Sequence, residues 1–117
     1  MHKYILALDD NIRILSIIKK ALDKDKYVVV TYSHPGDALE YFRNTNIKYD
    51  LIMTDIEMPV MSGHEFIKEI KNIDPDIRTI GMSGSKNIDM MKDHFHNFLE
   101  KPFQLNQLKA IIDETIL

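Results

Sequence analysis

Leu51-Ile52-Met53-Thr54-Asp55-Ile56-Glu57-Met58-Pro59-Val60-Met61-Ser62-Gly63 is the stretch that decides how this chain of 117 residues folds. A short apolar run bounded by turn residues reads as a buried strand, here over residues 50–54, and it carries Asp55 at its carboxyl end. In open α/β sheets ligands gather at that end of the strands, which makes Asp55 the first candidate for chemistry. Pro59 is expected to bend the chain, and Gly63 to supply backbone angles closed to other residues, so that 55–63 forms a fixed loop leading into a helix. A lone acid at a strand end is more often structural than chemical, and its partners must be sought elsewhere.

Upstream, Tyr4–Leu8 is an apolar run without alternation, as suits a strand covered on both faces, and it closes in Asp9-Asp10. Two adjacent acids there repel each other and call for a cation or a basic partner, unless one of them only caps the next helix. From Asn11 to Lys24, Ile14, Leu15, Ile17, Ile18, Ala21 and Leu22 recur at three and four and give a helix a broad apolar face. Tyr27–Tyr32 is β-branched and aromatic, a second strand. Ser33 or His34 before Pro35 starts a second helix, with Ala38, Leu39 and Phe42 inward.

Downstream, a third helix runs from Ser62 or Gly63 to Asn72, with Phe66, Ile67, Ile70 and Ile73 inward. Ile77–Met82 is a strand that delivers Ser83. Ile88, Met91 and Phe95 fit a helical stripe, and a short helix is expected over 86–94. Phe98–Glu100 is a brief fifth strand ending in Lys101-Pro102-Phe103. A last helix covers about Leu105 to Ile116, with Leu105, Leu108, Ile112 and Ile116 on one face.

Five strands alternating with five helices predict a single α/β domain over 1–117, a doubly wound parallel sheet. Right-handed crossovers leave few strand orders. The flavodoxin-like order 2-1-3-4-5 sets the ends of strands 1 and 3 side by side, bringing Asp9 and Asp10 against Asp55. The composition agrees: 44% hydrophobic and 28% charged residues are ordinary for a globular domain. The absence of cysteine excludes disulfides and thiolate metal sites and fits a reducing compartment. No apolar run approaches the roughly 20 residues of a membrane span, and no signal peptide is evident, so a cytoplasmic protein is expected. A net charge of −3 with both signs interspersed argues against nucleic-acid binding by this domain.

Asp9, Asp10, Asp55, Ser83 and Lys101 therefore converge from four strand ends. Three carboxylates together need a cation, and a ligand set of oxygens alone suits Mg²⁺ (or Mn²⁺). Phosphoryl transfer needs an in-line nucleophile, a metal and donors aimed at the equatorial oxygens, and this set contains all three. His94 and His96, in a polar loop, are not expected to bind metal.

The run D-x-x-M-P-x-M-S-G from Asp55 to Gly63, together with Asp9-Asp10 and the K-P-F of residues 101–103, resembles the receiver domain of two-component response regulators across essentially the whole chain. The resemblance implies that Asp55 is the nucleophile, taking phosphate from a sensor histidine kinase or a phosphotransfer protein. It implies metal ligation by Asp10, Asp55 and the backbone carbonyl of Glu57, with Asp9 acting through water. It assigns Ser83 and Lys101 to phosphoryl oxygens, Pro102 to a cis peptide, and Phe98, with Ser83, to a switch that alters an output surface for a partner or attached domain. Such a domain is a signalling module rather than an enzyme acting on small molecules. Two departures stand out: the interval from Ser83 to Lys101 is about one helical turn shorter than usual, and Glu57 adds an acid beside the metal site. The alternatives are a phosphorylation-independent interaction module and a Mg²⁺-dependent aspartyl-phosphate phosphatase. The phosphatase expects D-x-D after the first strand, which Asp9-Asp10-Asn11 does not supply.

Overall fold

The computed structural model describes residues 2–22, 24–58, 60–84 and 94–116. Five strands, β1 (Lys3–Leu8), β2 (Tyr27–Tyr32), β3 (Leu51–Asp55), β4 (Arg78–Ser83) and β5 (Asn97–Glu100), pair in parallel in the order β2-β1-β3-β4-β5. The described helices are α1 (Ile12–Ala21), α2 (Pro35–Asn44), α3 (Gly63–Ile73) and α4 (Leu105–Ile116). Fold class and strand order are those expected, with four helices among the described residues rather than five. Residues 86–93 of the helix expected over 86–94, and Pro59 with the bend assigned to it, lie outside the described residues, while His94 lies in a turn.

Alternate residues of the central strands feed two separate cores. Leu6, Leu8 and Ile52 point toward α2 and α3, where they meet Leu39, Phe42, Phe66 and Ile70. Ile5, Ala7, Leu51 and Met53 point toward α1 and α4, meeting Leu15, Ile18, Leu108 and Ile112. This is why β1 and β3 read as unbroken apolar runs: a strand covered on both faces has no polar side to show.

The helices are narrower amphipaths than the sequence pattern suggests. Ile17, Ile73 and Leu105, all expected inward, are 44%, 40% and 51% exposed. Ile17 lies one residue before Ile18 and so points about a quarter turn away from the sheet, while Ile73 and Leu105 are terminal residues of their helices and overhang it. α1 also stops at Ala21 instead of Lys24, because Leu22 already has extended backbone angles.

The helix starts set the loops around the sheet's carboxyl edge. Asn11 caps α1, its side chain accepting from the Arg13 N–H. Ser62 caps α3 by accepting from the Glu65 N–H at 3.1 Å, and its hydroxyl also donates to the Glu65 carboxylate. Gly63 plays a part other than the one expected: no described glycine has positive φ, so its backbone freedom is not used. What matters is its missing side chain. A Cβ at Gly63 would stand 2.3 Å from the Asp55 carbonyl oxygen and 2.7 Å from the Ile56 Cα, so only glycine lets α3 rest on the backbone that leaves β3.

Candidate active site at the carboxyl edge of the sheet

Strand register brings the predicted residues together. Leu8 lies opposite Thr54 and Asp55 opposite Met82, while Ser83 is level with Glu100, so Asp9, Asp55, Ser83 and Lys101 leave the sheet at one edge. A backbone hydrogen bond of 2.8 Å from the Lys101 N–H to the Ser83 carbonyl fastens the last two strand ends. The Lys101–Pro102 peptide is cis.

Asp9 is fully buried. One of its oxygens accepts from the Asn11 N–H at 2.9 Å, and the other lies 2.6 Å from the Lys101 Nζ. Neither acid of the pair is the helix cap, since Asn11 fills that place, and the basic partner that the sequence demanded is Lys101. The same ammonium reaches Asp55 Oδ1 at 3.4 Å. That oxygen also accepts from the Glu57 N–H at 3.2 Å, so the loop after β3 turns back on its own carboxylate. Asp10 is exposed, yet it offers an oxygen to the same group: one carboxylate oxygen each from Asp9, Asp10 and Asp55 lie within 4.8 Å of one another.

The electrostatics follow from the burial. Removing Asp55 from water disfavours its charged form, and the neighbouring Asp9 charge acts in the same direction. Lys101 and the Glu57 N–H oppose them without cancelling them, and Asp55 is pushed up to about 6. Burial alone would lower Lys101, but the hydrogen bond and charge of Asp9, joined by Asp55, outweigh it and hold the ammonium above its ordinary value. Among the described residues, the Lys101 ammonium pairs with Asp9 and Asp55 in a cluster of three carboxylates. The residual negative charge and the oxygen-only ligand set fit a hard divalent cation of the Mg²⁺ kind, which binds through few carboxylates and keeps waters.

Two features were not foreseen in the sequence. The Glu57 side chain reaches across to β4, where its carboxylate accepts from the Ser83 hydroxyl at 2.7 Å. Nothing in the spacing of 57 and 83 announces this contact; it follows from β3 and β4 being neighbours, with Glu57 two residues past the end of one and Ser83 at the end of the other. Phe98, the expected switch residue, is half-buried on β5, and the ring beside it is Phe95, with centroids 5.4 Å apart. Phe95 is a core residue in the turn before β5, and it occupies, with Ile56, the space a side chain at Gly81 would need.

Residues 5–113 match the family described as the response regulator receiver domain. The chain belongs to that family. Among relatives of this receiver, the chemotaxis protein CheY of Bacillus subtilis is 34% identical over 117 residues, covering 96% of each chain. The two-component response regulator ARR10 of Arabidopsis thaliana is 32% identical over 111 residues, covering 92% of the receiver but 20% of the plant protein. The receiver thus spans about a fifth of such plant relatives and nearly the whole of the bacterial one. Its fold is similar to the solved receiver domain protein of Clostridium thermocellum, with a TM-score of 0.86 and 32% identity over 97% of this chain and 94% of that one. It is also similar to TrrA of Thermotoga maritima, solved in complex with Mg(2+)-BeF, with a TM-score of 0.83 and 30% identity over 97% and 98% of the two chains.

Proposed function

We propose that this receiver accepts a phosphoryl group on Asp55 and signals through the resulting change of surface. The observation that carries the reading is the Asp55 carboxylate itself, held between the Lys101 ammonium and the Asp9–Asp10 pair at the open edge of the sheet. In the transfer, an Asp55 oxygen forms a bond to phosphorus as the bond from phosphorus to the nitrogen of a phosphohistidine breaks, and the electron pair returns to the imidazole. Asp10, Asp55 and the Glu57 carbonyl would hold Mg²⁺, with Asp9 acting through water. When bound, the ion supplies charge neutralisation at the phosphoryl oxygens.

The chain's own residues do the rest. Lys101 meets one phosphoryl oxygen, and Ser83 takes another by giving up its hydrogen bond to Glu57. An acyl phosphate adds negative charge and new acceptors where Ser83 now meets Glu57, which draws Ser83 inward and makes room for Phe98 to turn. The donor is a sensor histidine kinase or a His-phosphotransfer protein. The receiver acts as a phosphoacceptor and not as an enzyme on small molecules, and its output passes to a partner or an attached domain that binds the altered surface better.

Acetyl phosphate with Mg²⁺ should add one phosphoryl group to the wild type and none to Asp55→Asn, as read by intact mass. Full phosphorylation of that variant would overturn the assignment.

A further inference from the structure

A second cluster of chemistry-bearing side chains lies away from the strand ends. α3 presents His64, Ile67, Lys68 and Lys71 at successive turns on one face, and the turn at His94 folds against them. The two imidazoles touch, with ring centroids 3.8 Å apart at 62°, and the Lys71 Nζ donates to the His94 carbonyl at 2.9 Å. With Asn72 these residues line a cleft of about 310 Å³, and among the described residues its lining contains no carboxylate. Nδ1 of His64 is buried in this wall and makes no hydrogen bond among the described residues.

We propose that this cleft is a binding site for a small phosphate ester, with Lys68 and Lys71 pairing with the phosphoryl oxygens, the His64 and His94 rings donating to them, and the ester's organic group filling the remainder. The chemistry favours an anion over a metal ion, since the two ammonium groups repel a cation. A doubly charged oxyanion matches two lysines better than a single carboxylate does, and charge-assisted bonds of this kind are the strong ones. The volume leaves room for an organic group beyond the phosphate. Burial lowers the affinity of His64 for a proton, and His94, Lys68 and Lys71 lower it further against the opposing charge of Glu65, so the unliganded cleft is already a positive environment. None of Asp9, Asp10, Asp55, Ser83 and Lys101 lines it.

Ring-proton NMR of the metal-free protein, titrated with glycerol 3-phosphate, tests the proposal. The expected result is a saturable shift of the His64 and His94 signals and a rise in the titration midpoint of His64, with the His96 ring, held at Thr79 on β4, unmoved. Lys68→Gln and Lys71→Gln should each weaken binding about tenfold, the loss of about 1.4 kcal/mol, and Lys68→Gln, whose side chain is exposed, should leave thermal unfolding of the free protein unchanged. Inorganic phosphate should bind more weakly than the ester, and equal affinity would overturn the ester assignment. No saturable shift, the same shift with sodium chloride at matched ionic strength, or undiminished binding by the Lys68→Gln/Lys71→Gln double variant would overturn the site.

Discussion

Two carboxylates at the strand ends carry the energetic tension of the protein. Folded Asp55 keeps its proton until about pH 6, whereas in the unfolded chain it loses it near 3.8. Between those values the folded state binds more protons than the unfolded one, so the stability that Asp55 contributes is fully present below the lower value and is lost as pH rises through the upper one. In metal-free protein, Asp55→Asn should therefore raise the urea midpoint at about pH 7.5 and change it little at about pH 4, where the wild-type carboxyl is itself largely neutral. A larger gain at acid pH would contradict the assignment of burial and Asp9 as the dominant influences. Glu57 makes a different demand. Its carboxylate holds the Ser83 hydroxyl and stands where a phosphoryl oxygen would arrive, so Glu57→Gln should bind beryllofluoride with Mg²⁺ several-fold more tightly, since one like charge is removed and the hydrogen bond weakened. Fluorescence or calorimetric titration of the two proteins reads this directly, and unchanged affinity would show that Glu57 yields without cost.

At the scale of elements, α3 is held in place by what Gly63 lacks. Gly63→Ala drives a Cβ into the Asp55 carbonyl, and either α3 or the backbone that carries Asp55 must move. The expected loss is roughly 2 kcal/mol or more in urea unfolding, accompanied by slower phosphorylation by acetyl phosphate. A variant of wild-type stability would show that the helix can slide without penalty. The contrast with sequence reasoning is instructive here. The glycine was legible as a special position, but its reason was not, because a close approach of backbone to backbone is a tertiary fact and a turn preference is a local one. The strands were legible almost to the residue because burial on both faces leaves an unbroken apolar run, and the strand order followed from chain-crossing rules. Helix faces were less so: Ile17, Ile73 and Leu105 belong to the apolar pattern but overshoot the surface available to cover them. The converging acids could be anticipated from topology alone, whereas the Glu57–Ser83 and His64–His94 contacts could not. They join residues distant in the chain through side-chain reach that no periodicity encodes.

For the whole molecule, the sheet separates two cores and gathers one site at its carboxyl edge, so a ligand at that edge touches loops from β1, β3, β4 and β5 at once. A metal held as proposed, by Asp10, Asp55 and the Glu57 carbonyl with Asp9 acting through water, should then stabilise the entire fold by mass action: about 2.7 kcal/mol at a hundred times the dissociation constant. Scanning calorimetry should show Tm rising with Mg²⁺ concentration, returning to its starting value with a chelator, and remaining flat in Asp10→Asn. A flat response in the wild type would mean that the acidic cluster does not hold the ion. The backbone bond between Lys101 and Ser83 has a wider consequence. It ties the backbones of the two residues proposed to meet the phosphoryl group, so their side chains leave the sheet from one shared edge. If Asp55 takes a phosphoryl group as proposed, a side-chain movement at Ser83 and one at Lys101 would be felt by neighbouring strands at the same level of the sheet.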